Sequence, residues 1–226
     1  GKKTLNRVGK YAVVSFARNL FSTRQMIAKR ALDIAGSLVG MVILGIATIF
    51  IAPAIKLDSP GPVFFGQTRV GKNGRKFTFY KFRSMYKDAE ARKKELMASN
   101  EVKGLMFKME DDPRITKVGK FIRKTSIDEL PQFWNVLKGD MSLVGPRPER
   151  PFFVEKFKEE IPRYMVKHQV RPGLTGWAQV NGYRGDTSIV KRIEHDLYYI
   201  ENWTLGFDFK ILFLTIFKGF INKNAY

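Results

Sequence analysis

Two adjacent carboxylates, Asp128 and Glu129, stand in the run Arg123-Lys124-Thr125-Ser126-Ile127-Asp128-Glu129-Leu130-Pro131. Two readings compete for them. Ser126 and Glu129 have the spacing of a capping box, and acids at a helix start are ordinary. That reading leaves Pro131 inside the helix, where it costs ~3 kcal/mol. If the helix starts at the pair itself, Pro131 falls in the first turn, where its missing N–H does no harm. Such a start offers free N–H groups and a positive dipole end to an anion. An ionised Asp128 beside a bound phosphate is a nucleophile towards phosphorus. Glu129 is a hard oxygen ligand suited to Mg²⁺, and Asp128 can share that ion.

Cations surround the pair in sequence. Arg123 lies just upstream, and an arginine grips phosphate with a planar, permanently charged fork. Taken alone it reads equally well as one residue of a solvated basic helix face. Gly145-Pro146-Arg147-Pro148 places one arginine between two prolines, so little backbone freedom is left to lose when it binds a ligand. Its plain alternative is a rigid turn with an exposed arginine. Lys81, Arg83 and Arg171 complete a set that could line a pocket for a diphosphate. On a late helix Asp196 is a candidate sugar or metal contact, while Glu194, His195, Tyr198 and Tyr199 read as structural.

The elements that must position these residues begin with an apolar run from Ile34 to Ile55 that carries no charge. It is long enough to cross a bilayer at ~1.5 Å per residue. A plain spanning helix is one reading. Pro53 argues against it, because a proline in a helix removes a donor and crowds the preceding turn. The flanks also argue against it. Residues 1–30 hold eight basic residues (Lys2, Lys3, Arg7, Lys10, Arg18, Arg24, Lys29 and Arg30) and no acid; Lys56, Arg69 and Lys72 follow the run. Basic flanks favour the cytoplasmic side. The expectation is a re-entrant helix-break-helix with its break at Pro53 and Gly36, Gly40 and Gly45 loosening the rest.

Asp58-Ser59-Pro60-Gly61-Pro62 stops that segment. Val63–Val70 and Lys76–Met85 read as the strands of a hairpin turned at Asn73-Gly74. Asp88–Asn100 reads as a charged helix. A helix is expected to open at Asp112-Pro113, with Arg114 facing out, and another after Ser126 to stop at Gly139. Pro151–Glu160, Thr187–Asn202 and Phe207–Phe220 read as amphipathic helices. Trp177, Trp203 and the Phe-rich last helix read as membrane-interface residues, with an ordinary core as the alternative. The fold class is α+β and predominantly helical: a membrane anchor, a small antiparallel β-hairpin and amphipathic interface helices.

Composition narrows the classes further. The chain has 226 residues, 44% of them hydrophobic, which excludes disorder. It has no cysteine, so disulfides, thiolate nucleophiles and Cys-ligated zinc are excluded. His168 and His195 are its two histidines, too few for a His-based metal site. A net charge of +19 calls for anionic partners: phosphates, acidic lipids or nucleic acid. Nucleic acid leaves the uncharged run and the Pro-Arg-Pro turn unexplained. A non-catalytic membrane scaffold stays open beside an enzyme.

Long ordered blocks resemble one family. Lys117 to Gln132, continuing from Asn135 to Pro148, is similar to the signature of the bacterial sugar transferases, the monotopic phosphoglycosyl transferases. Lys81 to Met85 and Arg171 to Gly182 are similar to two further blocks, and the likeness covers roughly residues 24–220. The resemblance implies a ping-pong reaction on the cytoplasmic face of a bacterial membrane. Asp128 would attack the β-phosphate of a UDP-sugar, releasing UMP. The phosphosugar would then pass to undecaprenyl phosphate, with Mg²⁺ on Glu129, phosphate on Arg123 and the nucleotide held by Pro146, Arg147 and Pro148. Gln179 and Asn181 become candidate substrate contacts. The resemblance points to glucose-1-phosphate or galactose-1-phosphate transferases that initiate capsule or exopolysaccharide synthesis. It divides the chain into a linker over 1–23, an anchor over 24–57 and a catalytic domain over 58–226, with further membrane helices expected upstream. Membrane lipids are the remaining partner class, and a homodimer stays open.

Overall fold

A capping box starts the first helix: Ser22 Oγ accepts from Gln25 N at 3.3 Å and the Gln25 side chain accepts from Ser22 N at 2.9 Å. The computed structural model describes residues 2–8, 11–17, 22–95, 112–183 and 187–219. In chain order the elements are β1 (Lys2–Val8), β2 (Tyr11–Ala17), α1 (Thr23–Asp58), β3 (Phe64–Val70), β4 (Lys76–Phe82), α2 (Ala89–Glu95) and α3 (Lys117–Lys124). They continue as α4 (Gln132–Lys138), β5 (Ser142–Val144), α5 (Pro151–Glu160), β6 (Gly173–Thr175), α6 (Trp177–Val180), α7 (Ile189–Glu201) and α8 (Leu205–Gly219). The described chain is mostly helical, and each sheet has two strands.

α1 runs through Pro53 as one helix of 36 residues. The break expected there does not end it. Proline deletes one N–H and crowds one turn, a local cost of ~3 kcal/mol. Ile51 and Ile55 pack on either side of it against Phe82, Ile122 and Leu130, and that packing holds the helix together. Asp33, Ser37, Gly40, Leu44 and Ile55 are buried at helical spacing and form one narrow stripe. The remaining face exposes Leu38, Val39, Val42, Ile46, Ile49 and Phe50, an apolar surface that water would not tolerate at this length. Gly40 has a packing role rather than a loosening one, since a Cβ there would stand 2.3 Å from the Phe133 ring of α4.

β3 and β4 pair antiparallel from Phe64↔Phe82 to Val70↔Lys76. Asn73 (φ 55) and Gly74 (φ 74) make the left-handed turn that Asn-Gly favours. β4 ends at Phe82 rather than Met85, which makes an isolated bridge to Ile115. The helix expected from Asp112 begins later, at Lys117, where Thr116 Oγ1 accepts from Gly119 N at 2.9 Å. Asp112 instead accepts from the backbone N of Arg114 at 3.0 Å and from its Nη2 at 2.6 Å. A local carboxylate that captures the backbone in this way favours a turn over a helix, and Arg114 is buried rather than outward-facing.

β5 and β6 form a short parallel pair, with Ser142↔Gly173 and Val144↔Thr175 in register. Gly173 is required there: a Cβ would lie 2.1 Å from Gly145 N. The main core gathers Phe79, Val136, Met141, Val144, Tyr199, Ile200, Trp203 and Ile211. Trp203 therefore belongs to the core, not to an interface. α8 does expose Phe209, Phe213, Ile216 and Phe217 along one face while burying Ile211 and Asp208.

Of the expected charged helix over 88–100, α2 covers Ala89–Glu95, and 96–100 lies outside the described residues.

Candidate active site

The acid pair occupies a single 3-10 turn, Ile127–Glu129. The chain enters it through Ser126 in the left-handed region (φ 57) and leaves through Leu130 and Pro131 in helical conformation, just ahead of α4. Ser126 makes no side-chain capping bond, so the capping box is not formed. Pro131 (φ −59) stands immediately before α4, where a missing donor costs nothing.

Asp128 and Glu129 are 4% and 8% exposed. Lys81 Nζ lies 3.0 Å from both Asp128 Oδ2 and Glu129 Oε1. Arg147 Nη2 reaches the same Glu129 oxygen at 2.7 Å. One cation from β4 and one from the Pro-Arg-Pro turn thus converge on the pair, and Arg123 at the end of α3 is near enough for its charge to act on Asp128. Burial pushes the Asp128 carboxyl above the ordinary carboxylate range. The Lys81 ammonium opposes that push, the Glu129 carboxylate adds to it, and Arg123 opposes it. Asp128 Oδ1 is buried with no hydrogen-bond partner among the described residues. A buried carboxylate oxygen left without a donor costs free energy that a bound cation or phosphate proton would recover.

Those residues fit a magnesium ion. Mg²⁺ keeps several waters and is held by one or two carboxylates together with substrate phosphates. Asp128 and Glu129 supply that number. Among the described residues no group of three or more His, Asp or Glu offers an all-protein cage.

Other residues expected at the site have other occupations. Arg83 donates to Ser59 O at 2.7 Å and Pro60 O at 2.8 Å, so it clamps the turn that ends α1. Arg171 donates from Nε to Gly139 O at 3.0 Å. Asp196 is 2% exposed and paired to Lys167 at 3.2 Å, and the charges acting on it are those of Lys167, Glu149 and Arg192. Gln179 Nε2 donates to Leu174 O at 3.4 Å, and Asn181 Nδ2 donates to Trp177 O at 2.7 Å. None of these five side chains bonds to the acid pair. A cleft beside Arg147 is lined by Val70, Pro146, Pro148, Lys167, His168 and Pro172.

Several organising residues carried no usable sequence signal. Lys29 and Arg30 read as ordinary basic flanks. Lys29 Nζ instead reaches Asp208 Oδ2 at 2.6 Å, Val144 O at 3.0 Å and Tyr199 Oη at 3.1 Å. Arg30 donates to Val136 O and Leu137 O, both at 2.7 Å, closing the end of α4. Asp33 Oδ1 accepts from Ser142 Oγ and Leu143 N.

A model of the family described as "Bacterial sugar transferase" matches residues 24–222. The chain is 49% identical over 216 residues to "Galactosyl transferase CpsE" of Streptococcus agalactiae serotype III (strain NEM316), covering 96% of this chain and 47% of the relative. It is 48% identical over 202 residues to "UDP-glucose:undecaprenyl-phosphate glucose-1-phosphate transferase" of Escherichia coli (strain K12), covering 88% and 41%. It is 50% identical over 190 residues to "UDP-N-acetylgalactosamine-undecaprenyl-phosphate N-acetylgalactosaminephosphotransferase" of Aeromonas hydrophila, covering 83% and 42%. The chain spans less than half the length of these relatives.

Proposed function

The chain belongs to the bacterial sugar transferase family, and from that premise we propose that it transfers a hexose-1-phosphate from a UDP-sugar to undecaprenyl phosphate. The observation that carries this reading is the buried Asp128–Glu129 pair under Lys81 and Arg147. Burial strips water from the carboxylate, and the surrounding cations keep the site attractive to a diphosphate.

In the proposed reaction an Asp128 carboxylate oxygen attacks the β-phosphorus. The bond from that phosphorus to the bridging oxygen breaks, and UMP leaves with the bond's electron pair. An oxygen of undecaprenyl phosphate then attacks the same phosphorus, giving the diphospho-sugar lipid and restoring the carboxylate. Arg147 and Arg123 bind phosphate oxygens, and the prolines beside Arg147 keep its fork in place. Glu129 and Asp128 are the residues that would hold Mg²⁺, whose role when bound is to neutralise diphosphate charge. The relatives' names cite glucose and N-acetylgalactosamine at nearly equal identity. Glucose and galactose are the donors we propose, in the first membrane step of capsule or exopolysaccharide synthesis.

The test is donor turnover. Given UDP-glucose or UDP-galactose without lipid, the protein should gain a sugar-phosphate adduct on Asp128 by mass spectrometry. With undecaprenyl phosphate and Mg²⁺ it should release UMP repeatedly. Asp128→Asn should abolish both, since it keeps the shape and removes the attacking anion. Near-normal turnover by that variant would end the covalent mechanism. Glu129→Gln should raise the Mg²⁺ requirement, because an amide is a poorer ligand for a hard cation.

We also propose that α1 enters the membrane from the cytoplasmic side without crossing it. Support comes from both of its ends: Lys29 docks on Asp208 and Val144, while Asp58 Oδ2 accepts from Val118 N at 2.8 Å. Both ends therefore rest on one folded unit, which must face the UDP-sugar pool. The chain lacks cysteine, so Ser15→Cys and Ser99→Cys give clean probes. In sealed right-side-out vesicles an impermeant thiol reagent should label neither until detergent is added. Labelling at 15 alone would establish a spanning helix.

A further inference from the structure

Asn135 joins the helix that follows the acid pair to the strand that carries Lys81. We infer that it is a positioning residue for the site, fixing the separation between the Lys81 ammonium and the Asp128–Glu129 carboxylates. The kinetic arm of this inference rests on the functional reading above.

Asn135 is fully buried in α4. Its Nδ2 donates to Thr78 O at 2.7 Å, and its Oδ1 accepts from Tyr80 N at 3.2 Å. These two partners are backbone groups of β4, and Nδ2 also reaches Asp140 Oδ2 at 3.4 Å. The β3–β4 sheet has two strands, so the outer edge of β4 has no strand to pair with. A primary amide carries the same donor and acceptor as a peptide unit. Asn135 therefore bonds the edge as one peptide of a third strand would. The two bonds also fix its orientation, because a flipped amide would set N–H against N–H and oxygen against oxygen.

The backbone of Asn135 is pinned as well. Its carbonyl accepts from Gly139, Asp140 and Met141 N at 3.1, 3.0 and 3.2 Å. Lys81 is the residue after Tyr80, and Asp128–Glu129 precede α4 by Leu130 and Pro131 alone. The amide thus sits where the strand that carries the cation meets the helix that follows the acids. Without it, two buried backbone groups lose their partners and the strand gains freedom to slide against the helix.

The test uses the full chain in detergent and compares Asn135→Ala with Val136→Ala, a truncation of the neighbouring core residue that touches no bond to β4. The first readout is the acylation rate of Lys81 by an N-hydroxysuccinimide ester, followed by peptide mass spectrometry against exposed Lys76 on the same strand. In Asn135→Ala the Lys81-to-Lys76 ratio should rise about threefold or more, the effect of releasing a held group. It should stay at the wild-type value in Val136→Ala, even where that variant melts lower. The second readout is the rate of adduct formation from UDP-sugar. The losses from Asn135→Ala and Lys81→Met should be strongly non-additive, since one acts through the other.

An unchanged labelling ratio in Asn135→Ala overturns the proposal whatever the turnover, and additive rate losses overturn it too. If the wild type forms no adduct, the functional reading fails while the labelling ratio still decides the role of Asn135. Should the alanine variant not fold, Asn135→Asp keeps the acceptor for Tyr80 N and loses the donor to Thr78 O. The same rise in Lys81 labelling is then required of it.

Discussion

Lys81→Met removes the charge that opposes burial at Asp128 while keeping the aliphatic stem that fills the space. Lys81 Nζ is 3.0 Å from Asp128 Oδ2. Two unit charges at that distance attract by roughly 5.5 kcal/mol at an effective dielectric constant near 20. Sharing with Glu129 and partial access to water at the lysine, whose side chain is 24% exposed, reduce the figure. A quarter of it, about 1.4 kcal/mol, is still a factor of ten in the ionisation constant. The sign follows from the carboxylate. Burial already raises the Asp128 pKa, and loss of Lys81 raises it further. The protonated acid cannot attack phosphorus, so activity is lost as pH falls through a higher value. The acid limb of adduct formation should move up by about one pH unit or more. The assay is the initial rate of adduct formation from UDP-sugar between pH 5 and 9, with the folded fraction checked by circular dichroism at each point. A limb at the wild-type position, with only the plateau lowered, would refute the reasoning. It would leave Lys81 as a substrate contact that does not tune Asp128.

Arg147→Lys keeps the charge but loses the fork held 2.7 Å from Glu129; UDP-sugar turnover should fall about tenfold or more. Arg83→Lys, at a turn clamp, should lower the melting temperature more than it lowers the rate of the folded enzyme, which steady-state kinetics with parallel melts would separate. Lys29→Met strands the fully buried Asp208 with Tyr199 Oη as its remaining side-chain donor among the described residues. The expected loss is about 3–5 kcal/mol of stability by chemical denaturation, and the double variant Lys29→Met/Asp208→Asn should recover part of it. Burial pushes His168 from 6.5 down to about 4. Its contribution is therefore intact above pH 6.5 and lost as pH falls from there towards 4, by about 2 kcal/mol at pH 5. Denaturant midpoints of the wild type and His168→Gln at pH 7.5 and pH 5 check it, and equal pH slopes would refute it.

The hairpin was legible because Asn-Gly demands a left-handed turn wherever it sits, and Asn73 and Gly74 make one. The carboxylate turn was legible for a similar reason. Pro131 disfavours the capping-box helix by its missing N–H and its ring, no packing offsets that cost as it does at Pro53, and the structure puts the proline just ahead of α4. Lys81 and Arg147 came from the sequence as cations and were found on the pair.

The cations that went elsewhere show the limit. Nothing in an arginine's own sequence neighbourhood tells a phosphate from a carbonyl. Arg83 is taken by the two carbonyls of the Ser59-Pro60 turn and Arg171 by Gly139, and both depend on long-range packing. Asp196 was invisible as half of an internal pair because Lys167 is distant in sequence. The start of α3 was misplaced because Asp112-Pro113 is a good helix opening locally, and the ion pair to Arg114 outcompetes it. The break at Pro53 was overestimated because sequence gives the local cost of proline but not the packing around Ile51 and Ile55 that offsets it.

The way α1 is built into the fold has a consequence for how the protein can be handled. Leu44 and Ile55 share a core with Phe82 and Ile122, and Lys29 and Asp33 complete bonds made by Asp208, Val144 and Ser142. A fragment starting at Ser59 would expose that core and leave Asp208 without its cation, so no water-soluble catalytic piece can be cut out at the natural-looking boundary of Asp58. The same packing rules out a loose leash. A site hung on a flexible linker would sample many heights above a lipid layer, whereas with α1 in the membrane as proposed this one would be held by the helix it is packed against. If the proposed reaction holds, the reach from the Asp128 carboxylate to a phosphate at a bilayer surface is then set by the fold. A lipid layer of different thickness would change it without altering one residue.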